Sequence, residues 1–180
     1  MQTYIALLRG INVSGQKLVK MDRLRSLFSQ CGFENVRTYV QSGNLVFEAP
    51  RVSIAQLARK IEKEILEEFG FSVPVLVIPK AEFEKVVARN PFSGEKGGNP
   101  SRLYVTYHSQ APVRARLNVL AAIPAGNDRF HYAKGAVYLS CPEGYGKTKL
   151  SNAAIERALE GVATTRNWKT VNELSRLAAN

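Results

Sequence analysis

The chain has 180 residues, 45% of them hydrophobic, enough to bury one core or two small ones without disulfide or metal staples. Its 25 lysines and arginines outnumber 15 aspartates and glutamates; the net charge of +10 divides as +4 over residues 1–90 and +6 over 91–180, so it is not a basic tail. No apolar run nears the ~18 residues that span a bilayer, and two isolated cysteines with two histidines make neither a CxxC pair nor an ordinary zinc site.

Residues 2–8 (QTYIALL) are rich in strand formers, and the N-terminus lacks the charged n-region and small-residue cleavage site of a signal peptide. A cytoplasmic protein with free thiols at Cys31 and Cys141 is expected, both filling core positions. A polar loop, Arg9–Lys17, follows. Met21, Leu24, Leu27, Phe28 and Cys31 then fall at helical spacing before Gly32. Residues 36–41 and 44–49 read as a hairpin about Ser42-Gly43. Ile54, Leu57, Ala58, Ile61, Ile65, Leu66 and Phe69 form the stripe of an amphipathic helix, and PVLVIP (74–79) is the next strand.

The order β-α-β-β-α-β is that of a split βαβ, ferredoxin-like unit. Residues 80–101 differ: a short helix near 81–89, then the Gly/Pro-rich NPFSGEKGGNP, which reads as a linker or mobile loop. The order then repeats, with a strand at 102–108, a helix at 112–121, a hairpin of 129–134 and 136–141, a helix at 149–160 and a short strand near 162–165. A last helix, 167–178, is extra. The expectation is an α+β chain of two ferredoxin-like βαββαβ units in tandem, 1–79 and 102–180, joined by 80–101.

Five ordered motifs carry a family resemblance. They are Arg9-Gly-Ile-Asn-Val13 with Lys17 and Met21; Tyr39-Val-Gln-Ser-Gly-Asn44; Asn90-Pro-Phe92; Gly144-Tyr-Gly-Lys-Thr-Lys-Leu150; and Ala163-Thr-Thr-Arg-Asn-Trp168 with Thr170 and Val171. From Tyr4 to Leu177 the chain resembles the bacterial family catalogued as domain of unknown function 1697. The resemblance implies a pair of ferredoxin-like subdomains and supplies no activity. Ser14 departs from the glycine expected there.

In a βαββαβ unit the loop after the first strand and the turn between the second and third emerge at one end. Arg9, Asn12, Ser14, Lys17, Gln41, Ser42 and Asn44 should therefore gather at one edge, where glycines let a ligand approach the backbone. The plainer reading is that Gly10 and Gly43 serve turns while Asn12 and Asn44 accept left-handed conformations. Glu143–Lys149 nearly resembles a phosphate-binding loop, but Cys141 stands where that motif needs glycine. A looser anion site there would use Lys147, Thr148 and Lys149, with Arg166 at the same end; the plain alternative is a glycine turn with Thr148 capping the helix. Trp168 reads as a core anchor for the last helix, capped by Asn167 or Thr165.

No nucleophile elbow and no paired acids at a loop edge suggest catalysis, and no metal or cofactor is expected. Three readings follow. One is a module for nucleic acid or another polyanion, resting on the charge and on the strand aromatics Tyr39, Phe47, Tyr104 and Tyr107. Another is an enzyme or sensor for a small phosphorylated or carboxylated ligand held between the units by Arg9, Asn12, Lys17, Gln41, Asn44, Lys147 and Arg166. The third is a protein-interaction module.

Overall fold

The strand-forming runs and helical periodicities of the sequence become eight strands and six α-helices in the computed structural model, which describes residues 1–179. The chain divides into two compact units, Met1–Glu84 with the stretch from Glu173 onward, and Lys85–Asn172.

In the first unit the elements are β1 (Gln2–Leu8), α1 (Met21–Gln30), β2 (Glu34–Tyr39), β3 (Asn44–Ala49), α2 (Ile54–Phe69) and β4 (Val75–Pro79). The strands order as β2-β3-β1-β4, each antiparallel to its neighbour. Period-2 side chains divide between two faces. Tyr4, Ala6 and Leu8 of β1, with Leu45 and Phe47 of β3, meet Leu24 and Phe28 of α1 and Leu57, Ile61 and Ile65 of α2 in one core. Each large side chain fully buried there contributes roughly 1.5–3 kcal/mol. The alternate residues Ile5, Leu7 and Val46 are buried as well, so the middle of the sheet shows neither face to solvent.

After α3 (Lys80–Ala88), the second unit runs β5 (Leu103–His108), α4 (Arg114–Ala121), β6 (Arg129–Ala133), β7 (Ala136–Ser140), α5 (Asn152–Leu159) and β8 (Ala163–Asn167). Its strand order, β6-β7-β5-β8, reproduces that of the first. Val137, Leu139 and Ala163 pack on Leu120 of α4 and Ile155 and Leu159 of α5, while Val105, Tyr107 and Tyr138 are buried on the opposite face. The final helix is α6 (Trp168–Ala179). No helix among the described residues is long and apolar enough to cross a membrane.

Some local expectations need correction. The helix read from 149 begins at Asn152, with Ser151 as its cap: Ser151 Oγ accepts from Ala154 N–H at 3.3 Å. Leu150 is fully buried, which draws the chain inward just before the helix. Lys147 ends a 3-10 turn, Tyr145–Lys147, and Thr148 braces Leu150 N–H instead of capping the helix. Trp168 is only half-buried; Val171, Leu174 and Ala178 are the buried residues of α6, whose start is capped as expected by Asn167. Cys31 is also half-buried, while Cys141 is buried.

Candidate functional site

A loop can hold its shape only if its backbone polar groups find partners. The segment after β1 finds them in two neighbouring connections. Arg9 N–H donates to Pro74 O at 2.9 Å, and Leu8 N–H to Gly43 O at 2.8 Å. Asn12 closes the arrangement: its Nδ2 donates to Gln41 O at 2.7 Å and to Val19 O at 2.9 Å, and its Oδ1 accepts from Val19 N–H at 2.8 Å. Lys17 Nζ reaches Ser72 O at 2.6 Å. In the turn, Asn44 Nδ2 donates to Tyr39 O at 2.9 Å and to Ser42 Oγ at 2.8 Å.

Arg9, Asn12, Lys17, Gln41, Ser42 and Asn44 thus lie at one end of the first sheet, as the strand order requires. Their roles differ. Asn12 has both amide hydrogens engaged and Asn44 is fully buried, so these two clasp the loops together. Gly43 is the second fastener. At φ +76°, a Cβ there would stand 2.7 Å from Leu8 Cβ and 2.8 Å from Ile11 Cδ1, so only glycine permits the contact. Arg9 is half-buried, while Ser14, Lys17, Gln41 and Ser42 are exposed.

The clasped backbone is strained. Five of the nine residues from Arg9 to Lys17 have positive φ, and three of them, Asn12, Ser14 and Lys17, are not glycine. Val40, in the facing turn, has φ 50°. A β-branched residue is a genuine outlier in that region, and each such residue costs on the order of 1–3 kcal/mol. The connections at this end contain cations and no acid, although Glu62 of α2 reaches them, its Oε1 accepting from Val75 N–H at 2.8 Å. Residues 9–20 carry Arg9, Lys17 and Lys20 and no acid, and neither 40–43 nor 70–74 adds one. The unit's acids sit on its helices and at Glu34 and Glu48, which pair across β2 and β3 at the other end. Lys20 escaped the sequence reading; its signal was the lack of any acid between Lys17 and the first turn of α1.

In the second unit, Tyr145 OH donates to Thr165 Oγ1 at 3.0 Å, which in turn donates to Asn152 Oδ1 at 2.6 Å. With Thr106 Oγ1 at 2.7 Å this network fixes the connection between β7 and α5. Lys147 and Lys149 both line a shallow recess shared with Asp128 and Glu143, and Lys147 pairs with Glu143 at 3.8 Å. Arg166 lies at the same end of the sheet, as expected, but does not line that recess. It is 8% exposed, and its guanidinium donates to Thr164 Oγ1 at 2.7 Å and Thr165 O at 3.0 Å. Burial lowers its pKa to about 10, against the opposing pull of Tyr107 and Tyr145, so it stays charged at neutral pH. Phe47 and Tyr107 are buried and cannot stack on a base; Tyr104 is half-buried, its ring centroid 5.2 Å from that of Tyr145.

The comparisons with known proteins agree with the architecture. A family model described as "Protein of unknown function (DUF1697)" matches residues 1–138. None of the curated proteins compared with the chain matches it. A solved structure, that of the conserved bacterial protein SP0830 from Streptococcus pneumoniae, is similar at 24% identity and a TM-score of 0.76 over 98% of each chain. At that identity the likeness speaks to the fold alone.

Proposed function

The chain belongs to the DUF1697 family of proteins of unknown function, and from that premise we propose that it binds a nucleic acid or another polyanion through the loop end of its first unit. The observation that carries this reading is the clasped rim, whose connecting segments supply Arg9, Lys17 and Lys20 and no acid of their own. Three cations on a fixed backbone meet successive phosphates without the entropy of ordering a loose loop. The net charge of +10 steers an anionic partner toward the molecule from a distance. The contact uses the loop end and not the sheet, since Phe47 and Tyr107 are core residues. A cytoplasmic setting belongs to the same reading.

Titration of labelled single- and double-stranded oligonucleotides at several salt concentrations tests it. The expected result is a log K that falls with log salt by about 0.7 per phosphate on single strands. Lys17→Glu and Lys20→Glu should each remove about one contact's worth of slope. Absence of binding at low salt, or binding indifferent to both reversals, would overturn the proposal.

A further inference from the structure

The Gly/Pro-rich stretch after α3 is folded, not slack. Asn90 Oδ1 accepts from Phe92 N–H at 3.0 Å, Ser93 N–H donates to Asn90 O at 3.4 Å, and Gly98 N–H donates to Glu95 O at 3.0 Å. Glu95 anchors it to β6 through a two-pronged pair with Arg129, Nη1 to Oε1 at 2.9 Å and Nη2 to Oε2 at 2.5 Å. The Arg129 guanidinium also lies 4.8 Å from the centre of the Phe92 ring. Between this stretch and the β5–β7 end, where Leu103 pairs with Ser140, is a recess of about 390 Å³.

Its charges do not cancel. Lys96, Arg102 and Arg129 line it against one carboxylate, Glu95, which is already committed to Arg129. That leaves Lys96 and Arg102, whose side chains have no hydrogen-bond or ion-pair partner among the described residues. Arg102 is nonetheless mounted firmly. Asn99 Oδ1 accepts from Ser101 N–H at 3.0 Å and from Ser101 Oγ at 2.7 Å, forming the 3-10 turn that ends at Arg102. Arg102 N–H donates to Asn99 O, and Arg102 O accepts from Cys141 N–H, both at 2.9 Å. Its Nη1 lies where a Cβ on residue 144 would come within 2.8 Å, and residue 144 is glycine. An exposed guanidinium with no partner adds little to folding, whereas its planar fork suits an oxyanion.

We propose that this recess is a binding site for a small phosphate monoester, whose phosphate is held by Arg102 and Lys96. A phosphate monoester carries close to two negative charges at neutral pH, which matches the two unpaired cations. The recess lies toward the small end of the range for ligand sites and exceeds what a bare phosphate needs. Phe92, Leu103 and Pro142 provide apolar wall for the organic part. All the residues of the site belong to the second unit.

Calorimetric titration with phenyl phosphate tests it, with phenol and benzoate as controls. The expected result is saturable binding of phenyl phosphate, weaker binding of benzoate and none of phenol. Lys96→Ala and Arg102→Ala should each weaken phenyl phosphate binding about tenfold or more, and Lys17→Glu should leave it unchanged. Lys96 is exposed on its loop, so its variant serves even if Arg102→Ala folds poorly. Affinity should also fall as pH drops through the second phosphate pKa, ~6. No saturable binding, binding that survives both alanine variants, binding that follows Lys17, or a preference for benzoate would each overturn the assignment.

Discussion

The two units solve the same topological problem with unequal effort. In each, the first strand ends with a backbone bond to the residue before the last strand or its neighbour: Arg9 N–H to Pro74 O in one, Ser109 N–H to Val162 O in the other, both at 2.9 Å. The second unit then needs only residues 109–113 to reach α4, and its hairpin turns on Lys134 and Gly135. The first takes residues 9–20 to reach α1 and 40–43 to turn, holds both with Asn12 and Gly43, and keeps four non-glycine residues there at positive φ. Since the shorter version suffices for the fold, the longer one is not explained by folding. Strain maintained where a fold does not require it is characteristic of binding sites.

The largest test of this contrast is a pair of glycine substitutions. Gly43→Ala should destabilise the first unit by about 3 kcal/mol in urea unfolding, adding overpacking against Leu8 and Ile11 to the backbone penalty. Gly135→Ala, at φ +91° with no atom within 4 Å of the new Cβ, should cost only the backbone term of about 1 kcal/mol. Equal effects would mean that the Gly43 contact is relieved by easy movement and that the clasp is loose.

A smaller, pH-dependent effect should appear in the second unit. Tyr138 is buried with its hydroxyl donating to Val86 O at 2.7 Å, and burial raises its pKa to about 12 from 10.0. The unfolded chain releases that proton first, so the stability from this group is fully present below pH 10 and is lost as pH rises toward 12. The loss amounts to about 2–3 kcal/mol. Tyr138→Phe should flatten alkaline unfolding over that window; an unchanged profile would assign it to other groups.

A comparable loss, of about 2 kcal/mol, is expected for Asn12→Ala, which leaves Val19 and Gln41 without their side-chain partner. Hydrogen exchange at Val19 N–H should accelerate in parallel. The smallest effect belongs to Gln110→Ala. That residue is exposed and donates to Glu160 O at 2.7 Å, and its loss should cost about 0.5 kcal/mol. A reversal of that order would place the structural burden in the shorter loop and undo the comparison.

Much of this was legible from residues alone. The apolar runs of QTYIALL and NLVFEA mark strands buried on both faces, and the 3.6-residue stripe from Ile54 to Phe69 marks a helix that buries one. The order of those elements then brings Arg9–Lys17 beside Gln41–Asn44, with no knowledge of side-chain contacts. Tertiary structure decided what each residue does there. Asn12 and Asn44 look like ligand donors in sequence, yet their amides clasp backbone carbonyls, because a loop with left-handed residues leaves polar groups that only side chains can reach. Arg166 is buried because its register opposite Val105 places it in a strand bounded by Tyr107 and Thr164. Lys149 lies before its helix because Leu150 enters the core first. The recess at Arg102 joins residues from 92 to 142, and no local pattern encodes that meeting. Sequence determined the elements and their order, since these follow from periodicity and near neighbours. Only the fold decided which charges are buried, paired or left facing a ligand, since that depends on partners brought together from distant parts of the chain.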